Sequence, residues 1–206
     1  MVIGAPSTLS ESLLYDEIIM CRRCPRLVNY RESVKENPKA KSYWKKPVPG
    51  FGNINSKIML VGLAPSAQGG NRTGRMFTGD KSGEFLFRAL YDAGLSNKPK
   101  SEGPGDGLEL KDVYITAVVK CAPPKNMPSS EESYTCAYTF LRREIEMIKP
   151  KVIVALGGFA YKWTVKTLKW LGYQVPNVKF EHGAVYKVSN DLKIICSFHP
   201  SPQNTN

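Results

Sequence analysis

Short apolar runs alternate with stretches of helical period along this chain. Ile58-Met59-Leu60-Val61 reads as a buried strand over 57–63, and Val113-Tyr114-Ile115-Thr116-Ala117-Val118-Val119 as a second. Val152-Ile153-Val154-Ala155-Leu156 is a third, turned by Gly157-Gly158, and Leu192-Lys193-Ile194-Ile195-Cys196 a last core strand. Ala184 to Val188 fits a short edge strand. Between them, apolar positions recur at helical spacing. Leu9, Leu13, Leu14 and Ile18 form one stripe over 8–20, where Thr8 and Glu11 fit a capping box. Further helices are expected after Gly83, over 131–148 with Ser129 or Ser130 as cap, and over 159–171. Residues 35–50 read as a surface excursion stopped by Pro47-Val48-Pro49-Gly50, and 96–108 as a connector. Strands alternating with helices imply one α/β domain over 1–206, its sheet mainly parallel and covered on both faces.

The longest unexplained segment is Gly62 to Gly83, GLAPSAQGGNRTGRMFTGDKSG, between a strand end and a helix start. At that edge of an open α/β sheet ligands bind. Five glycines lie between Gly69 and Gly83, so backbone can approach a ligand closely. The loop is not a phosphate-binding Walker loop, because Asp80-Lys81-Ser82 lacks the glycine before the lysine. Nor is it a dinucleotide fingerprint, because no Gly-x-Gly-x-x-Gly opens the helix. The plainer alternative is a solvated surface loop.

A net charge of +11 points toward a polyanionic partner; the alternative is a charged surface that serves solubility or heat stability. No apolar stretch approaches the ~20 residues of a membrane span, and no signal-like start is seen. The expectation is a cytoplasmic protein, with no membrane partner and without disulfides. Four cysteines, Cys21, Cys24, Cys121 and Cys136, stand outside the strand cores, while Cys196 sits inside one. A thiolate-only set of four suits an iron–sulfur cluster or zinc, with iron–sulfur favoured because a second Cys-x-x-Cys is absent. The alternative is four unrelated thiols.

Taken together, GLAPS followed by NRTGRMFTGD, the cysteine spacing and the terminal HPSPQN resemble the uracil-DNA glycosylase superfamily. The similarity is to its iron–sulfur family 5, or type B, of thermophilic prokaryotes, and runs from about residue 9 onward. The resemblance implies a three-layer α/β/α sandwich with a central four-stranded mainly parallel sheet. It implies a structural [4Fe–4S] cluster on Cys21, Cys24, Cys121 and Cys136. The partner would be DNA containing uracil or other deaminated bases, with action at the nucleoid. Gly62, Leu63, Ala64, Pro65 and Ser66 would shape the pocket, and Phe77 would stack on the flipped base. His199 would bind uracil O2 as charge develops, with Asp80 and Asn126 near the sugar or base. Pro200, Ser201, Pro202 and Gln203 would enter the minor groove. Two departures stand out. Ala64 replaces a water-activating aspartate of the best-known branch, and Ala117 stands where many relatives have a uracil-reading asparagine. The second implies looser selectivity, extending to hypoxanthine or xanthine.

Each residue also has a duller reading. Phe77 could anchor the loop in the core, Asp80 could cap the next helix, and His199 could be a satisfied strand-end histidine. Arg72 and Arg75 are placed on DNA, as phosphate contacts rather than base readers, or brace the loop. The Lys-rich 35–46 segment is either a solvated face or a DNA contact. Competing functions are a non-catalytic, metal-stapled DNA-binding module and an electron-transfer protein. A monomer is the default, and no repair or sliding-clamp partner is readable from the residues.

Overall fold

The computed structural model describes residues 9–37 and 42–205; Thr8, Lys39 and Lys41 lie outside the described residues. Helix α1 (Leu9–Ile19) buries Leu14 and Ile18, but Leu13 of the expected stripe faces solvent. A helix not anticipated from the pattern follows, α2 (Pro25–Ser33), with proline at its first position. It buries Leu27, Val28 and Arg31, and the buried arginine breaks the apolar period that would have announced it.

The sheet has six strands in the order β1-β3-β2-β4-β6-β5. The four expected core strands are β2 (Ile58–Gly62), β3 (Val113–Ala117), β4 (Val152–Leu156) and β6 (Lys193–Ser197), all parallel. Two short antiparallel edges enlarge the expected four-stranded sheet. One is β5 (Val185–Lys187), the anticipated edge; the other is β1 (Phe51–Gly52), paired with β3. Two residues are too few to show a period.

Successive residues of β2 serve opposite cores, as the period of two requires. Leu60 packs with Met76, Leu86, Phe87, Leu90 and Ile115 beneath helix α4 (Lys81–Asp92). Met59 and Val61 face the other layer with Phe140, Leu141, Ile145 and Trp163. That layer holds α7 (Gly158–Trp170) and a long helix opened by a capping box. Ser129 accepts from the Glu132 N–H at 3.1 Å and donates its own N–H to Glu132 Oε2 at 2.7 Å. This helix comprises α5 (Ser130–Cys136), a π-type turn (Ala137–Leu141) and α6 (Arg142–Ile148).

Chain direction reverses its drift at β2: the chain passes first to β3, then across β2 to β4 and on to β6. Such a switch point opens a crevice beyond the strand ends. The β3 end is held by a buried ion pair. Lys120, 1% exposed, donates to Glu144 Oε2 at 2.6 Å, and Thr116 and Tyr114 also donate to that carboxylate.

Candidate active site

At the switch point lies a cleft of about 730 Å³, lined among others by Leu63, Ala64, Pro65, Ser66, Phe77, Asp80, Asn126 and His199. The loop after β2 brings the first six together. Its start is pinned because β3 continues to pair past its end: Val118 and Val119 donate to Gly62 and Leu63 carbonyls at 3.0 Å. Gly62 lies beneath the cleft rather than in its wall. A Cβ there would stand 2.6 Å from Phe77 Cζ, so the glycine is the seat of the Phe77 ring. Phe77 itself has φ +52°, a left-handed backbone that few bulky residues adopt. Strain of this kind persists where surrounding structure imposes it.

The Phe77 and His199 rings face the same cleft, with centroids 5.9 Å apart and planes at 30°. Burial pushes the His199 imidazole below its usual pKa, against a weaker opposing pull from the Asp80 carboxylate. Its carbonyl accepts from Ser201 N–H at 2.7 Å and Asn204 Nδ2 at 2.8 Å, which closes the HPSPQN turn. Asn204, the last residue of that motif, fixes the histidine's backbone through its side-chain amide. Pro200 is buried and absent from the cleft wall, while Ser201, Pro202 and Gln203 form its rim.

Asp80 does two things at once. Its Oδ1 accepts from Gly83 N–H at 3.0 Å, capping α4; its Oδ2 accepts from Ser66 Oγ at 2.5 Å inside the cleft. The anticipated cap and the anticipated cleft residue are thus one side chain. Asn126 reaches the rim from the loop after β3, on consecutive left-handed residues (Lys125 φ +53°, Asn126 φ +55°).

Three expected positions have surroundings that the sequence did not announce. Arg75, expected on DNA or as a brace, is buried: it is 7% exposed, paired to Asp106 at 2.8 Å, bonded to Ser101 and stacked 4.4 Å over Phe51. Ala117 is 1% exposed in the α4-side core and is not part of the cleft wall. From the loop after β3, the residue that lines the cleft is Asn126. The excursion expected over 35–50 is fastened to the loop after β2, where Trp44 and Lys45 N–H groups donate to Arg72 and Asn71 carbonyls at 3.0 Å. Arg72 spends its own guanidinium on the Gln68 and Gly79 carbonyls, bracing the loop. Lys81 and Ser82, at the α4 start, were missed and also line the cleft.

Residues 49–206 match the family model described as "Uracil DNA glycosylase superfamily". A protein of Pyrobaculum aerophilum named Type-5 uracil-DNA glycosylase is 49% identical over 193 residues, 93% of this chain and 82% of its own. The chain belongs to the uracil-DNA glycosylase superfamily. Two more relatives carry the same Type-5 name. That of Thermus thermophilus is 47% identical, covering 90% of this chain and 84% of its own. That of Mycobacterium leprae is 42% identical, covering 99% and 90%. The resemblance to family 5 read from the motifs agrees with these names.

In this superfamily member a second, small cavity is walled by Cys21, Cys24, Cys121 and Cys136, with Leu27, Val28 and Phe140 around them. None of the four is in a disulfide. They come from the α1–α2 junction, the loop after β3 and the end of α5. Burial pushes the Cys121 thiol up to about 11 and that of Cys136 further; Cys24 is raised by burial and by its neighbour Cys21. Left alone these thiols stay neutral. Arg31, 2% exposed, donates to Cys121 Sγ at 3.3 Å, while its Nε has no hydrogen-bond partner. Lys120 N–H donates to Cys136 Sγ at 3.3 Å. A buried cation and N–H donors aimed at sulfur suit thiolates held by a metal group. No three His, Cys, Asp or Glu side chains among the described residues are grouped closely enough for a single ion. Cys196 is a core residue, 1% exposed. No helix among the described residues is long and apolar enough to cross a membrane.

Proposed function

We propose that this protein is a monofunctional uracil-DNA glycosylase, hydrolysing the N-glycosidic bond of a nucleotide swung out of DNA and leaving an abasic site. The observation that carries the reading is the aromatic ring and the imidazole set together in one cleft at a strand-end switch point. Extruding a nucleotide costs ~a few kcal/mol. Stacking on Phe77 returns ~1–3 kcal/mol, and the +11 charge supplies attraction to phosphates. As the bond from sugar C1′ to the base breaks, its electron pair goes to the base. His199, held neutral by burial, donates an N–H to the developing anion. Water then adds to C1′ and loses a proton.

Ala64 offers no group to activate that water. Asp80 retains lone pairs after its two bonds and can orient it, with Asn126 reading the base edge. Departure of the anion, rather than activation of water, then dominates. Gln203, Ser201 and Pro202 meet the groove, and Arg72 only braces. With Ala117 out of the cleft, cleavage of hypoxanthine or xanthine rests on how Asn126 tolerates a purine. The four cysteines would hold a [4Fe–4S] cluster, which would fasten the N-terminal helices to the β3 loop and supply folding free energy.

A uracil-bearing oligonucleotide tests the reading: alkali-labile abasic product is expected. His199→Ala should lower the single-turnover rate about 10²–10³-fold, the cost of one oxyanion donor, and Asp80→Ala less. Equal rates for His199→Ala and wild type would overturn the role of the imidazole. Absence of product from the wild-type protein, with DNA bound, would favour a non-catalytic module instead. Iron and sulfide in equal amounts would support the cluster.

A further inference from the structure

Next to His199 in the chain, but outside the cleft lining, a second aromatic surface is left open. Phe198 stacks on His182 with centroids 4.5 Å apart and planes within 10°, yet half of its surface stays in water. The contact is built, not incidental. His182 Nδ1 accepts the Phe198 backbone N–H at 3.0 Å, so imidazole and ring are fixed to each other by backbone as well as by stacking. Behind them a series of rings, Phe180, Tyr161 and Tyr186, runs down to the β5 edge at centroid spacings of 5.9 to 6.3 Å. The Tyr161 hydroxyl ties the 172–184 segment by donating to the Val178 carbonyl. Phe198 is the exposed end of that series. It is also the residue before His199, so the stack and the cleft are one residue apart on the strand-end edge of the sheet.

A rigid, half-exposed phenyl ring gains nothing from water; covering it is favourable. Any surface covering it must lie over the strand ends, where the extruded nucleotide's own strand runs on the proposed reading. Every nucleobase offers a flat π-face, and aromatic platforms beside a basic surface bind successive bases without regard to sequence. We propose that the Phe198–His182 pair is a second base-stacking subsite, taking an unpaired or partly unstacked base adjacent to the flipped one. The inference rests on the glycosylase reading and deepens it: Phe77 holds the target, and Phe198 holds its neighbour in the gap left behind.

The test uses the full-length protein and a duplex carrying a hydrolysis-resistant 2′-fluorinated deoxyuridine, with 2-aminopurine placed either 5′ or 3′ to it. Stacking quenches 2-aminopurine fluorescence. Quenching at one of the two positions is expected with wild type and with Phe198→Trp, and loss of it with Phe198→Ala and Phe198→Leu. Leucine keeps apolar bulk but has no π-face, so it separates stacking from packing. His182→Ala should weaken the signal in part. DNA binding should weaken about 10-fold in Phe198→Ala, within the range of base–aromatic stacking. Unchanged fluorescence in Phe198→Ala, or loss in the tryptophan variant as well, would overturn the subsite. Failure of the wild-type protein to excise unmodified deoxyuridine would overturn the glycosylase reading instead.

Discussion

Gly62→Ala is the smallest change that should disable the cleft while sparing the sheet. The added methyl would stand 2.6 Å from Phe77 Cζ and 2.8 Å from Cε2, well inside contact distance. Gly62 itself cannot retreat. It pairs with Ala117 in the sheet register, and its carbonyl accepts from Val118. The Phe77 ring must therefore leave its seat, from a backbone already at φ +52°. Overpacking of this kind costs about 1–3 kcal/mol of stability. Loss of a base platform costs a further ~1–3 kcal/mol of substrate stabilisation, roughly 5- to 150-fold in kcat/KM. The assay is single-turnover excision from a uracil duplex, for Gly62→Ala, Phe77→Ala and the double variant. The two changes act on one ring, so the double variant should be no slower than Phe77→Ala alone. Wild-type rates in Gly62→Ala, or fully additive losses in the double variant, would refute the seat-and-ring account.

Because burial holds the His199 imidazole below its ordinary 6.5, excision should persist as pH falls past that value and fail only further into acid. A pH–rate profile of Asp80→Asn should move the acidic limb lower, since the carboxylate is the group that opposes burial. Burial raises the Asp106 carboxyl, but N–H groups of Glu102, Leu108 and Gly103 and the Arg75 guanidinium outweigh it, holding it at about 2 against an ordinary 3.8. That carboxylate contributes about 2 kcal/mol, full above its unfolded value near 4 and lost as pH falls toward 2. Asp106→Asn should thus lower denaturant stability at neutral pH and lose its effect near pH 2. Arg75→Ala should lower stability similarly yet leave the salt dependence of DNA binding unchanged, because this buried cation is already paired with Asp106. Glu144→Ala strands the buried Lys120 charge and should cost about 3–5 kcal/mol, or roughly 6–20 °C in Tm by calorimetry.

The strands nearest the site were legible because each is a buried run between turn signals, as with Val152–Leu156, whose bounds agree residue for residue. The cysteine set was legible as a group of four, and HPSPQN as a segment at the cleft. What escaped depends on distant partners. Arg75 looked like a surface cation because its partner is not local: Asp106, thirty-one residues on, draws it inward. Ala117 sits at a strand end, but the register Gly62↔Ala117 turns it under α4. The double duty of Asp80 required Ser66, fourteen residues earlier, to fold back over Gly69, where a Cβ would meet both partners within 2.5 Å. The π-type turn after Cys136 leaves no mark in hydrophobic period.

Asn71 carries a last consequence. Fully buried, it gives its side-chain amide to the Arg31 carbonyl, its N–H to Ser66, and its carbonyl to Lys45. The cleft wall is therefore moored to residues that belong to no strand. A fragment beginning at residue 49 would keep all six strands and the whole family-model match. It would still lose Arg31, Trp44 and Lys45, and with them the outer fastening of residues 71–74. The segments that complete the sheet are thus fewer than those that shape the cleft.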